Sequence, residues 1–323
     1  MAARSPLGQG SKRLDRALLD LGLGLTRRSA RELIAAGYVR VNGRALRKGD
    51  LVSAGDRVEV AAPAMARQLL ANAALAPAVL YQDAAAVIVA KPGLLPCHPL
   101  RLSDADTLMN GVVTLFPETA GAGDKPLEGG LVHRLDNGAS GAVIVARSPL
   151  ALKLLREALR SNRIARRYEA LALGELTRPL EIDLPIAHHA KDPKRMTLAP
   201  AGTRRALRGR PRPAFTRVEP LLRLDGMTLL RVTPHTGVRH QIRLHLAAAK
   251  LPLAGDVLYG APPAAALAPG RFFLHLRRLR FDSPAGALVD VEAPLPADLA
   301  GMLDALEAAR RQMRRSSAAL PPW

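Results

Sequence analysis

The sequence predicts an α+β protein: a small N-terminal helix-plus-hairpin module, then a larger domain with a mainly antiparallel mixed sheet flanked by helices. Three observations predict it. Residues 13–60 hold two short helical repeats followed by an Asn-Gly hairpin signal. From residue 79 to about 297 strand and helix patterns alternate with short connections and without a βαβ rhythm. The chain has 323 residues, enough for one large domain or two.

Leu14, Ala17, Leu18 and Leu21 recur at helical spacing, with Gly22 and Gly24 as the stop. Thr26 is placed to cap a second helix with an apolar side of Ala30, Leu33 and Ile34, ended by Gly37. The other side of that helix carries Arg27, Arg28 and Arg31. Val39 and Val41 lead into Asn42-Gly43, and Arg40, Arg44, Arg47 and Lys48 surround the turn. Residues 1–60 contain 12 basic and 6 acidic side chains, so this helix face and hairpin form a candidate phosphate-reading surface. Residues 61–76 read as a connecting segment, partly helical.

Beyond it, 79–100 gives two short apolar runs and a Pro/Gly-rich turn, and Ala142–Ala146 an unbroken apolar strand. Ser148-Pro149 starts a helix expected to bury Leu150, Leu154, Leu155 and Leu159. "ARRYEALALG" alternates as a strand with Tyr168, Ala170 and Ala172 on one face. "MTLLRVTP" is another strand, and "RHQIRLHLAAAK" a helix. Residues 201–217 hold six arginines, no acid and two prolines, and are expected to be a basic loop touching RNA or a solvated insertion. Residues 301–323 read as a basic C-terminal tail, in part helical. Arg271, Arg277, Arg278 and Arg280 flank a strand and are expected to be solvated or phosphate-facing, and Asp256 to order a turn.

The formal charge of +19 points to a polyanion, nucleic acid before membrane, although a genome biased towards Ala and Arg codons would inflate the same number. Cys97 is the single cysteine, so no intrachain disulfide is possible. The start lacks the apolar core of a signal peptide and no run is long enough to span a membrane, so a cytoplasmic, soluble protein is expected. No zinc-ligand spacing and no glycine-rich phosphate loop occur, so neither metal nor cofactor is expected. A monomer is expected.

In "GGLVHRLDNGASGAVIVARS", residues 129–148, Asp136 is the single carboxylate. It follows His133 and Arg134 and precedes the small residues Gly138, Ala139, Ser140 and Gly141, which leave room for a ligand. Asp-Asn-Gly also suits a plain turn. The cluster Arg239, His240 and Arg243 supplies candidate charge partners, and a nearby arginine keeps a half-buried carboxylate ionised for nucleophilic or basic work. His133, His240 and His245 read singly as structural histidines.

The residues 13–60 resemble the S-four-type RNA-binding domain, through the arginine-rich second helix and "GYVRVNG". "HRLDNGASG" resembles the signature of RluA-type RNA pseudouridine synthases, and the order of "VLYQDAAAVIVAKPGLLPCHP", "RRYEALALG", "TGVRHQIRLHLAAAKLPLAGDVLYG" and "FFLHLRRLRF" agrees with that family. The resemblance implies an S-four-type domain at 11–62, a linker at 63–77, a catalytic domain at 78–300 and the tail at 301–323. It implies isomerisation of specific uridines to pseudouridine, foremost in large-subunit ribosomal RNA with transfer RNA also open, and no cofactor. By residue it implies catalytic roles for Asp136 as nucleophile, Tyr168 packing on the uracil and Arg243 pairing with the aspartate. Arg134 would fill the space of the flipped nucleotide, and Arg27, Arg28, Arg31, Arg40 and Asn42 would contact RNA. The chain departs from the family at Ala139, at Val238-Arg239 and at Ala90. The alternative is a catalytically degenerate RNA-binding or ribosome-assembly factor.

Overall fold

The computed structural model describes residues 2–4, 10–21, 27–35, 37–60, 69–101, 103–123, 125, 127–203 and 207–318. The N-terminal module comprises β1 (Ala2–Arg4), β2 (Ser11–Arg13), α1 (Leu14–Asp20), α2 (Arg27–Ala35), β3 (Val39–Val41), β4 (Arg44–Ala45), β5 (Leu51–Ser53) and β6 (Arg57–Val60). Leu14, Ala17 and Leu18 of α1 bury against Ala30, Leu33 and Ile34 of α2 and against Val39, Val41, Val52 and Val58, a core separate from the larger one. Gly37, at φ 76°, ends α2 as its position implies. Asn42 and Gly43 have φ of 50° and 80°, the left-handed pair that closes a two-residue hairpin between β3 and β4. Gly22, Gly24 and Thr26 lie outside the described residues.

Among the described residues one nine-stranded mixed sheet forms the larger core. Its strands are β7 (Val79–Gln82), β8 (Ala86–Lys91), β9 (Ser140–Ala146), β10 (Ala165–Leu173), β11 (Leu180–Asp183), β15 (Phe215–Leu224), β16 (Met227–Pro234), β17 (Leu274–Asp282) and β18 (Leu288–Glu292). The order is β11-β15-β16-β10-β17-β9-β8-β7, with β18 on β17. The β9–β17 pair is parallel and the other recorded pairings are antiparallel. β9 is buried along its whole length, as an apolar run without alternation requires. Helices α3 (Leu108–Leu115), α4 (Pro149–Arg160), α5 (Gln241–Ala248) and α6 (Ala297–Ala318) complete the domain. Between β11 and β15, β12 (Ile186–His189), β13 (Met196–Leu198) and β14 (Leu207–Arg212) form a separate three-stranded sheet, ordered β13-β12-β14.

Three readings are corrected. Ser148 does cap α4, accepting from the Ala151 N–H, but the buried side is Ala151, Leu152, Leu155 and Ala158, while Leu150 and Leu154 are 67% and 45% exposed. The stripe is set by small residues that allow close approach to the sheet, which counting leucines overlooks. Residues 207–212 are strand, not loop: β12 supplies the backbone partners, and an edge position tolerates Pro211. The C-terminal helix begins at Ala297, ahead of the expected 301.

Candidate active site

Residues 131–133 run against β9, Val132 N–H donating to Ile144 O, and the chain then turns to re-enter as β9. Asp136 sits in that turn, closed by Ala139 N–H donating to Asp136 O at 3.1 Å. Two buried cations hold the turn. Lys91, at the end of β8, donates from Nζ to the carbonyls of Pro92, Leu95 and Asn137. Burial pushes its pKa down to about 8, against the attraction of Cys97 and Asp136. From the other side Arg271 donates to Gly138 O and Ser140 Oγ.

Helix α5 brings the charge partner. It starts from His240 in left-handed backbone, φ 56° and ψ 18°. The Gln241 side chain fastens this start: its Oε1 accepts from Thr236 Oγ1 and Val238 N–H, and its Nε2 donates to Phe215 O. One turn on, Arg243 Nη1 donates to Asp136 Oδ2 at 3.1 Å, while its Nε and Nη2 grip Asp256 at 2.7 Å each. Its guanidinium also lies over the rings of Phe272 and Tyr259, 4.2 and 5.0 Å from their centroids. Burial opposes the charge, but Asp256 and Asp136 outweigh it and hold the Arg243 pKa above its ordinary value. The arginine therefore presents fixed positive charge to one carboxylate while a second neutralises it.

Tyr168 lies on β10 where the register with β17 shifts between Arg167 and Tyr168. Such a bulge re-aims a side chain. The ring is 7% exposed, burial raises its pKa, and its hydroxyl has no hydrogen bond among the described residues. Asp136, Tyr168, Arg243 and the exposed Arg134 line one cleft of about 360 Å³, with Arg166, Arg212 and His240. A larger hollow of about 570 Å³ beside α6 is lined by apolar side chains with Asp298 as its one ionisable group, so the smaller cleft is the better candidate for chemistry.

All three histidines are hydrogen-bonded, and His133 and His240 also line the cleft. His133 Nε2 accepts from Ile144 N–H at 3.2 Å, and burial, with Arg166 nearby, pushes its pKa down to about 3. His245 is fully buried, its ring nitrogens bonded to Thr216 Oγ1 and Leu184 O. His240 lies 3.9 Å from Asp136 Oδ1, and burial pushes it down to about 4 despite that carboxylate, so it is neutral there at pH 7. At the Val238-Arg239 departure, Arg239 donates to Pro193 O and Lys194 O, tying the three-stranded sheet to the start of α5, while Val238 packs with Ile186, Met196 and Ala214.

In the N-terminal module Arg27 and Arg40 are exposed with no hydrogen bond or ion pair among the described residues. Arg31 pairs with the buried Asp15 at 3.3 Å and stays half exposed; the Arg28 side chain lies outside the described residues. Asn42 is committed within the module, its amide donating to Asp56 Oδ1 and accepting from Arg57 N–H.

The sequence reading missed Lys91, Phe272, Tyr259 and His275, and gave Asp256 only a turn. It also expected Arg271 to be solvated or phosphate-facing, whereas Arg271 is 2% exposed. Arg277, Arg278 and Arg280 stay partly exposed, as expected, and pair with carboxylates: Arg277 with Glu169 and Glu292, Arg278 with Asp290 and Glu292, and Arg280 with Asp290. The one local hint at Arg271 was its place between Gly270 and Phe272, in a segment too apolar for a solvated arginine. Among the described residues no group of three or more His, Cys, Asp or Glu is placed to hold a metal, and no helix is long and apolar enough to cross a membrane.

The family model for RNA pseudouridylate synthase matches residues 85–248, and that for the S4 domain residues 12–58. The chain is 32% identical to ribosomal large subunit pseudouridine synthase D of Yersinia pestis, over 95% of this chain and 93% of that protein. It is 30% identical to the protein of the same name in Escherichia coli, over 95% and 93%. With an uncharacterized RNA pseudouridine synthase of Chloroflexus aurantiacus it shares 33%, over 94% and 92%. Among solved structures, human RNA pseudouridylate synthase domain containing 4 superposes with TM-score 0.56 at 25% identity, over 71% of this chain and 92% of that one.

Proposed function

The chain belongs to the RNA pseudouridylate synthase family and is an RNA pseudouridine synthase carrying an S4 domain, and from that premise we propose that Asp136 is its nucleophile and large-subunit ribosomal RNA its substrate. The observation that carries the site is the Asp136 carboxylate, held 3.1 Å from Arg243 Nη1 in a cleft shared with the Tyr168 ring. A uridine in folded RNA must leave its stack before a carboxylate can reach it. Tyr168 packs on the extruded uracil, a contact of about 1–3 kcal/mol. Arg134, exposed at the cleft, fills the space the nucleotide vacates. The N1–C1′ bond breaks with Asp136 engaged, the ring turns, and C5 bonds to C1′ as its proton leaves and N1 gains one. Every atom is conserved, so the reaction draws on no redox partner.

The ribosomal substrate follows the names of the relatives that match over nine-tenths of both chains. Such a substrate places the protein in the cytoplasm. Residues 11–62 add RNA affinity through Arg27, Arg28, Arg31 and Arg40, with Asn42 ordering the hairpin that presents Arg40; residues 63–77 link them to a catalytic domain at 78–300, and 301–323 form the basic tail.

Carbodiimide-based mapping of total RNA from cells lacking the protein tests the reading, with rescue by wild type or Asp136→Asn. A site in large-subunit RNA that vanishes on deletion and returns with wild type alone is the expected result. Loss of RNA affinity in Asp136→Asn with product still formed would overturn the nucleophile assignment.

A further inference from the structure

Building on the assignment of Asp136 as nucleophile, we propose that Arg271 is a positioning residue for the catalytic turn, and that helix α6 supplies through Asp298 the counter-charge that keeps it in place. Both residues lie beyond the 85–248 segment that matches the family model. Every nitrogen of the Arg271 guanidinium is engaged. Nε donates to Asp298 Oδ2 at 2.6 Å, Nη2 to Ser140 Oγ at 2.9 Å, and Nη1 to Gly138 O and to Phe272 O. The carbonyl of Gly138 is two residues from Asp136, so a displaced guanidinium displaces the carboxylate.

The guanidinium and the turn it holds are closely packed. A Cβ on Gly93 would fall 2.4 Å from Arg271 Nε, and one on Gly138 would fall 2.2 Å from Gly270 O. Ser140 is fixed in turn. His275 Nε2 faces Ala293 O at 3.1 Å and therefore carries the ring proton, so the Ser140 hydroxyl donates to the bare His275 Nδ1 at 2.9 Å and accepts from Arg271. The charges around the turn are unbalanced without α6. Lys91 and Arg271 both act on it from buried positions, 2% exposed each, and among the described residues Asp298 is the one carboxylate bonded to either. A buried cation deprived of its partner is strongly disfavoured and shifts to regain solvent. Asp298 itself is 39% exposed at the first turn of α6, where an acid also suits the helix dipole.

The test uses the full chain and a transcribed large-subunit RNA fragment. It reads the single-turnover rate of pseudouridine formation, the Kd for RNA, and amide exchange at residues 138–141 in wild type, Asp298→Asn, Asp298→Glu and Gly93→Ala. Misplacing a reacting group by a fraction of an ångström to 1 Å costs about tenfold to a hundredfold in rate. Asp298→Asn is expected to lose about tenfold or more in rate with unchanged Kd, to speed exchange at 138–141 and not along the rest of β9, and to be rescued by Asp298→Glu. Gly93→Ala, which pushes the guanidinium without touching α6, is expected to give the same pattern. A folded Asp298→Asn with wild-type rate overturns the proposal, as does a rate loss matched by lost RNA affinity. An Asp298→Asn chain that does not fold makes the pair a fold staple and overturns it too, unless Gly93→Ala slows the reaction in a folded chain. If wild type forms no pseudouridine, the functional reading fails, and exchange at 138–141 still decides the positioning claim.

Discussion

Arg243 shows what one side chain does when its geometry is fully used. Two of its nitrogens grip Asp256 in parallel, which leaves Nη1 aimed at Asp136. A lysine carries the same charge but cannot reproduce the fork. Arg243→Lys is therefore expected to keep RNA binding and lose about a hundredfold in single-turnover rate, the lower end of what removing one preorganised donor costs. The neutral buried histidines make a second prediction, on stability. Burial holds His133 at about 3 and His240 and His275 at about 4. Below pH of about 6.5 the unfolded chain takes up protons that these native rings refuse, so stability is flat above that pH and falls as pH drops towards 4. The slope approaches about 1.4 kcal/mol per pH unit for each ring, and melting temperatures from pH 8 to pH 4.5 measure it. A melting temperature unchanged down to pH 4.5 would show that the rings charge in the native state.

The turn that carries Asp136 is set by how closely β9 and β17 approach. Gly141 has φ 126°, and a Cβ there would fall 2.4 Å from both Leu276 N and Leu276 O. The parallel pairing of His275 with Ser140 and Leu276 with Gly141 leaves no space for it. Gly141→Ala combines a left-handed backbone with a backbone clash and is expected to cost about 3 kcal/mol or more, read as a lower urea midpoint. β9 itself was legible, because the unbroken apolar run Ala142–Ala146 describes a strand buried on both faces. The Asn42-Gly43 hairpin was equally plain, because its turn chemistry is local. Asp136, Tyr168 and Arg243 were named from the family signature, and the structure brings them into one cleft. Arg271 was not legible: its partners come from residues 138, 140, 272 and 298, and no local window contains them. The buried side of α4 failed for a related reason, since Ala151 and Ala158 are chosen by the distance to the sheet and not by hydrophobicity.

For the whole molecule the open question is what the +19 charge does. Arg243, Arg271, Arg277, Arg278 and Arg280 are paired with carboxylates, so the surplus rests on other cations. Arg27 and Arg40 in the N-terminal module and Arg134 at the cleft are exposed and have no such partner among the described residues. If these unpaired arginines meet phosphates, each contact releases counterions, and the logarithm of RNA affinity falls linearly with the logarithm of salt concentration, by about 0.7 per contact for single strands. Arg27→Gln and Arg40→Gln are each expected to lower that slope by about 0.7–1 while leaving the rate on saturating RNA unchanged, because neither side chain lies at the cleft. Arg278→Gln serves as the internal comparison, its charge already answered by Asp290 at 2.6 Å, and should leave the slope as it is. Equal slopes in all three variants would mean that the excess charge reflects composition and that the N-terminal module binds RNA through other groups.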